Sequence, residues 1–138
     1  MKTYQSSVSE LSGTAYEEVA HTARAMYNDI RKKSRRQPYI RSKYFNNEKV
    51  FLALFWEHLA QKHRADRLHR LKLYPPAVDL IQNNRFSPDV TVEVSATIRF
   101  YRFYGLTKEG KLFIVQIKEN SKTGRKDFMS VFKKGARK

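Results

Sequence analysis

Thr97 to Glu119 reads TIRFYRFYGLTKEGKLFIVQIKE, and this stretch decides the fold class. Two runs rich in β-branched and aromatic residues flank the polar turn Thr107-Lys108-Glu109-Gly110, the pattern of a β-hairpin. In the second arm Phe113, Val115 and Ile117 fall on one face and Ile114, Gln116 and Lys118 on the other. The first arm is apolar on both faces but sets Arg99 and Arg102 among Phe100, Tyr101, Phe103 and Tyr104. A surface of Arg, Lys, Gln and Tyr suits an anionic, aromatic ligand, with nucleic acid the first candidate.

Working outward, Asn120 to Arg125 is a polar turn, and Lys126 to Lys133 reads as a last strand with faces Phe128/Ser130/Phe132 and Met129/Val131. Asp89 to Ser95 alternates weakly, as an edge strand would. Upstream the pattern is helical. Ala15, Val19, Ala23, Met26 and Ile30 have helical spacing, with Thr14 as N-cap and Glu17 three residues on. Residues 37–45 form a connector, since Pro38 opposes helix continuation. Asn46 or Asn47 caps a predicted helix from Glu48 to Lys62, with Val50, Phe51, Leu54, Phe55 and Leu59 on its stripe. His63 to Lys72 reads as another helix, broken at Pro75-Pro76, and a short one follows to about Asn84. Helices first and strands after predict an α+β fold: N-terminal helices, then a three- to four-stranded antiparallel β-meander with the helices on one face. The expected organisation is an N-terminal helix and basic arm (1–37), one α+β domain (38–133) and a basic tail (134–138).

The chain has 138 residues, enough for one core. Its 28 Lys+Arg against 13 Asp+Glu give a formal charge of +15, which favours a polyanionic partner by long-range attraction. With no cysteine, disulfides and thiolate zinc sites are excluded. No apolar run approaches the ~20 residues of a membrane span, and the first residues lack a signal peptide's apolar core. A cytoplasmic protein with no membrane partner is the expectation.

His63, Arg67 and Arg70 stand at i, i+4 and i+7 and share a helix face. A general base beside two phosphate clamps has this pattern, and so does a solvated basic face. His21 reads as solvated, and His58, near an apolar stripe, as a boundary histidine or a catalytic one. The run Arg31 to Arg36 reads either as a solvated helix end favoured by the dipole or as a phosphate-binding arm or localisation signal.

Helices followed by a curved antiparallel sheet, high positive charge, and three local patterns resemble the barnase–EndoU–colicin–RelE-like (BECR) nucleases, in their phage- and mobile-element-associated branch. The patterns are His63-xxx-Arg67-xx-Arg70, the strand Phe113 to Lys118, and Phe128-Met129-Ser130-Val131-Phe132; Phe132 stands where that group often has Tyr. The resemblance implies metal-independent RNA cleavage, with no cofactor, by attack of the 2′-OH on its own phosphate. It gives His63 or His69 the role of base or acid, and Arg67, Arg70 and Lys118 that of phosphate holders. Ser130 would bind the phosphate or orient the 2′-OH. The expected nucleic-acid-binding set is Arg35, Arg36, Arg41, Lys43, Arg99, Tyr101, Arg102, Tyr104, Gln116 and Lys126, with Tyr101 and Tyr104 stacking unpaired bases. The implied partners are RNA, tRNA among the candidates, and an acidic antitoxin or immunity protein.

Two rival readings stand beside this one. Pro88-Asp89 with Gln116-Ile117-Lys118 loosely matches a metal-dependent PD-(D/E)xK nuclease, with Gln in place of the acid and Glu93 and Glu119 as further oxygen ligands. A non-catalytic RNA- or DNA-binding module accounts for charge and aromatics equally well.

Overall fold

The hairpin forms with continuous register from Ile98↔Asn120 to Leu106↔Leu112, and Gly110 closes its turn at φ +92°. The computed structural model describes residues 2–88 and 90–134. Chain order is β1 (Tyr4–Gln5), α1 (Tyr16–Lys33), β2 (Tyr39–Ser42), β3 (Glu48–Phe51), α2 (Ala53–Leu59), α3 (Arg64–Lys72), α4 (Tyr74–Asn83), β4 (Val90–Ser95), β5 (Ile98–Leu106), β6 (Leu112–Asn120) and β7 (Lys126–Lys133). Among the described residues no helix is long and apolar enough to cross a membrane.

β4 to β7 pair antiparallel in sequence order, but the expected simple meander is overturned. The described sheet is mixed and has seven strands, ordered β1-β5-β6-β7-β3-β2 with β4 also on β5. β1 runs parallel to β5, and β3 runs parallel to β7. The main cause lies in the segment expected to be one helix from Glu48 to Lys62. Its first four residues are β3, and α2 is only seven residues long. Asn46 and Asn47 do not cap a helix; both adopt left-handed backbone, at φ +57° and +64°. Two such residues in succession reverse the chain, and Asn tolerates them better than most side chains. The Asn47 N–H donates to the Ser42 carbonyl at 2.7 Å and closes the β2–β3 hairpin. β1 carries too few residues to show a period. It is held by side chains: the Tyr4 and Ser6 hydroxyls both donate to Asp79 Oδ2, at 2.8 and 2.7 Å. Burial, and then the bond to Asp79, push the Tyr4 phenol up to about 12.

The core lies between the helices and one sheet face. Phe103, Phe113, Val115, Ile117, Phe128 and Val131 from the sheet meet Phe55, Leu71, Tyr74, Ala77 and Leu80 from the helices. Phe55 stacks on Phe128 at 4.8 Å between ring centroids with the planes 5° apart. α1 adds Val19 and Ala23 to the same core.

The hairpin joins the rest at two close fits. Lys126, 4% exposed, donates to Glu48 of β3 at 2.8 Å and lies 3.1 Å from Glu119 of β6, with the Phe45 ring 4.9 Å away. At Gly105 an added Cβ would stand 2.6 Å from Phe113 Cζ and 2.8 Å from Leu80 Cδ1. Gly105→Ala should therefore destabilise the fold by about 1–3 kcal/mol through overpacking. A lowered urea midpoint checks this, and an unchanged midpoint would show that α4 does not press on β5.

Candidate nucleic-acid interface

The β2–β3 hairpin presents two faces. Ile40 and Val50 are register partners and both are buried. The opposite face carries Tyr39 beside Phe51 and Arg41 beside Lys49. Like charges directly opposite one another disfavour strand pairing, so stability alone does not account for Arg41 and Lys49. The Tyr39 ring lies near both, with Lys49 Nζ at 4.7 Å and Arg41 Cζ at 5.5 Å from its centroid. Cation–π attraction offsets part of the repulsion.

The end of α1 brings more charge to this edge. The Ser34 hydroxyl accepts from the Tyr39 N–H at 3.2 Å and donates to the Ile30 carbonyl at 2.9 Å, which ties the helix end to β2. Arg36 then takes left-handed backbone, φ +64°, ahead of Pro38. Arg35 and Arg36, both exposed, line a cavity of about 290 Å³ with Tyr39, Lys49, Phe51 and Arg125. The Arg125 guanidinium lies 4.1 Å over the Phe51 ring. A second cavity, of about 630 Å³, is lined by Lys33, Tyr39, Arg41, Lys43, Gln82 and Asn83 among others. Tyr39 lines both, so the two cavities adjoin at the sheet edge, and together they make a basic groove there.

The charge in this groove is little compensated. Arg125 pairs with Asp127 at 3.2 Å. Among the described residues Lys33, Arg35, Arg36, Arg41, Lys43 and Lys49 form no ion pair, whereas Arg64, Arg70, Arg99, Lys111 and Lys126 each do. Unpaired cations gathered in one cleft focus positive potential there.

The residues expected to act on RNA fall in different places. His63 is exposed at the start of α3. Arg67 lies against α1, with its Cζ 5.4 Å from the Tyr16 ring. Arg70 turns to the sheet, is 2% exposed, and donates through Nη1 to the Ser130 hydroxyl. It also donates to the Val131 carbonyl at 3.5 Å and to Asp66 Oδ1 at 3.1 Å. β3 pairs with β7 only at Lys126 and Asp127, so this guanidinium covers a length of β7 beyond that pairing. His69 and Arg70 line a cavity of about 140 Å³ with Asp66, Leu73, Phe132 and Lys133. Arg70 thus joins the cavity that His69 lines to the Ser130 hydroxyl, while Ser130, His63, Arg67 and Lys118 do not line that cavity. Lys118 is register partner to Phe100 on one side and Asp127 on the other.

The sheet residues expected to bind nucleic acid are engaged within the fold to different degrees. Arg102, Gln116 and Ser130 are successive register partners across β5, β6 and β7. Arg102 Nε donates to Gln116 Oε1 at 3.3 Å, and Tyr104 follows Arg102 by two residues on that face. Gln116 is only 6% exposed. Tyr101 faces the core: its hydroxyl donates to Glu119 at 2.8 Å and its ring packs 5.1 Å from Phe45. Arg99 lies 3.8 and 3.9 Å from Glu93 and Glu119. Lys126 is enclosed as described above. Asp89 of the metal-dependent alternative lies outside the described residues, as do Met1 and the tail beyond residue 134; no group of three or more His, Asp or Glu that could hold a metal occurs among the described ones.

Tyr39, Lys49, Phe51 and Arg125 belong to the groove but carried no signal as a set. The Tyr39/Arg41 and Lys49/Phe51 spacing of two is a strand period, hidden when residues 48–62 are read as helix. No protein-family model matches the chain, and no curated protein or solved structure matches it.

Burial, and then the positive charges of Lys62 and Arg70, lower the His58 pKa from its ordinary 6.5. Its protonation is harder in the folded chain than in the unfolded one. The stability it contributes is therefore complete above about pH 6.5 and falls as the pH drops from there towards the folded value. His58→Gln should lose less of its urea midpoint than the parent between pH 7.5 and pH 5.5, both buffers being at about the screening of physiological salt. Equal losses would show that His58 is not the group responsible.

Proposed function

We propose that the chain binds a nucleic-acid strand by its phosphates along the β2–β3 edge. One observation carries this reading: Lys33, Arg35, Arg36, Arg41, Lys43 and Lys49 gather around Tyr39 without an ion-pair partner among the described residues. Phosphate contacts supply affinity that is independent of sequence and falls with salt. The Tyr39 and Phe51 rings and the Arg125 plane lining the same groove are of the kind that stack exposed bases. The formal charge of +15 adds long-range steering.

Five phosphate contacts would give a log–log slope of affinity on salt of about −3.5 for a single strand. The triple variant Arg35→Ala/Arg36→Ala/Lys49→Ala should flatten that slope by about 2, since each contact contributes roughly 0.7. Fluorescence anisotropy of a labelled oligonucleotide, titrated across a salt series, measures both. A slope unaffected by the triple variant would sink the groove as the binding surface.

Cleavage of bound RNA is a second reading, favoured by the buried Arg70–Ser130 bond beside the cavity that His69 and Lys133 also line. Arg70 and Lys133 would stabilise charge developing on a phosphate, and His69 would exchange the proton of the 2′-OH, with no metal required. Such an activity would call for an acidic neutralising protein in the cell that makes it. The same RNA incubated with the protein in EDTA tests this: cleavage that persists in EDTA and disappears in His69→Ala supports it. Intact RNA bound tightly leaves binding as the whole function.

A further inference from the structure

A separate cavity of about 150 Å³ lies between α1, α2 and α3, on a part of the molecule the groove does not use. Tyr16, Ala20 and Arg24 line it from α1, Trp56 and Leu59 from α2, and Arg67 from α3. Its size is several times the ~30 Å³ that one water occupies in the liquid. No carboxylate lines it, and among the described residues neither Arg24 nor Arg67 forms an ion pair.

Two features make this more than a gap between helices. The Arg67 Nε–H is buried and has no hydrogen-bond acceptor, which is a costly state for a charged donor. Its guanidinium is held by the Tyr16 ring, 5.4 Å from Cζ. Arg24 is held likewise, with Cζ 4.1 Å over the Trp56 ring. The rings hold both guanidinium groups in place without neutralising either charge, so two sets of N–H donors border one partly open cavity.

We propose that this cavity is an anion site for a phosphate-sized oxyanion, taken either as inorganic phosphate or as the terminal phosphate of a nucleic acid. Planar guanidinium groups match phosphate oxygens with paired, charge-assisted hydrogen bonds. Ala20 and Leu59 add apolar lining beside them, which lowers the local polarity and strengthens such bonds. The proposal is independent of the groove at β2–β3 and stands or falls separately from it.

Trp56 is the chain's single tryptophan and lines this cavity, so its fluorescence is a local probe of binding there. Inorganic phosphate is titrated at constant ionic strength into the Arg35→Ala/Arg36→Ala/Lys49→Ala variant, which removes groove cations. A saturable change in Trp56 emission is expected, and Arg24→Gln should weaken its midpoint about tenfold or more, as loss of a charged hydrogen bond does. Arg24 is exposed, so this variant keeps its core; Arg67→Gln, checked for folding by circular dichroism, should weaken it similarly. No saturable change, or an unchanged midpoint in Arg24→Gln, would overturn the proposal. Competition by a 5′-phosphorylated trinucleotide but not its 5′-hydroxyl counterpart assigns the site to nucleic-acid ends. Phosphate binding that neither trinucleotide displaces assigns it to the free ion.

Discussion

The ammonium of Lys126 is buried among three strands, and the place of the β2–β3 hairpin depends on it. β3 meets β7 through only two register positions, Val50↔Lys126 and Phe51↔Asp127. So short a parallel contact provides little register of its own. A buried ammonium without partners would cost several kcal/mol. Lys126 avoids that through Glu48 of β3 and Glu119 of β6, with the Gly124 carbonyl as a further acceptor at 3.1 Å. Burial pulls its pKa down, but the bonds to Glu48 and Glu119 outweigh burial and hold it above the ordinary value. The hairpin is thereby fixed in one register, with Tyr39, Arg41, Lys49 and Phe51 on the face that borders the groove.

The helices are placed by aromatic packing rather than by their own propensity. α2, at seven residues, is too short to hold as an isolated helix. Phe55 against Phe128, with Tyr74 5.2 Å from Phe55 and Trp56 5.3 Å from Tyr74, binds α2 between the sheet and α4. This layer also reaches the cavity at α1, because Trp56 lines that cavity and packs 5.4 Å from Tyr27 of α1. One cluster of rings therefore joins the sheet core to the two stacked arginines, Arg24 and Arg67.

Where one period runs unbroken, the sequence is legible. The β5–β6 hairpin, α1 and α3 follow from alternation, helical spacing and turn residues, and α4 from Pro75-Pro76 at its first positions. Legibility fails at Val50 to Phe55, where the end of a strand and the start of a helix share one apolar run. It fails again at β7, where Phe128, Ser130 and Phe132 read as one face. The register shift that passes over Met129 leaves Phe128 in the core and pairs Ser130 with Gln116 on the other side. Parallel pairing of β1 and β3 is non-local and leaves no local pattern. Arg35, Arg36, Arg41 and Lys43 are visible as candidate phosphate contacts by residue type and clustering. Lys49 joins them once Glu48–Phe51 is a strand rather than a helix, and Arg125 joins only through the fold, from a turn distant in the chain.

On the proposed reading the β2–β3 edge, and not the broad face of the β5–β6 hairpin, meets nucleic acid. Amide chemical-shift mapping of the ¹⁵N-labelled chain with a short single-stranded RNA at low salt tests it most directly. Perturbations are expected on Arg35 to Gln37, on β2 and β3, and at Arg125. Perturbations centred instead on Arg99, Arg102 and Lys118, with the β2–β3 edge unmoved, would contradict it.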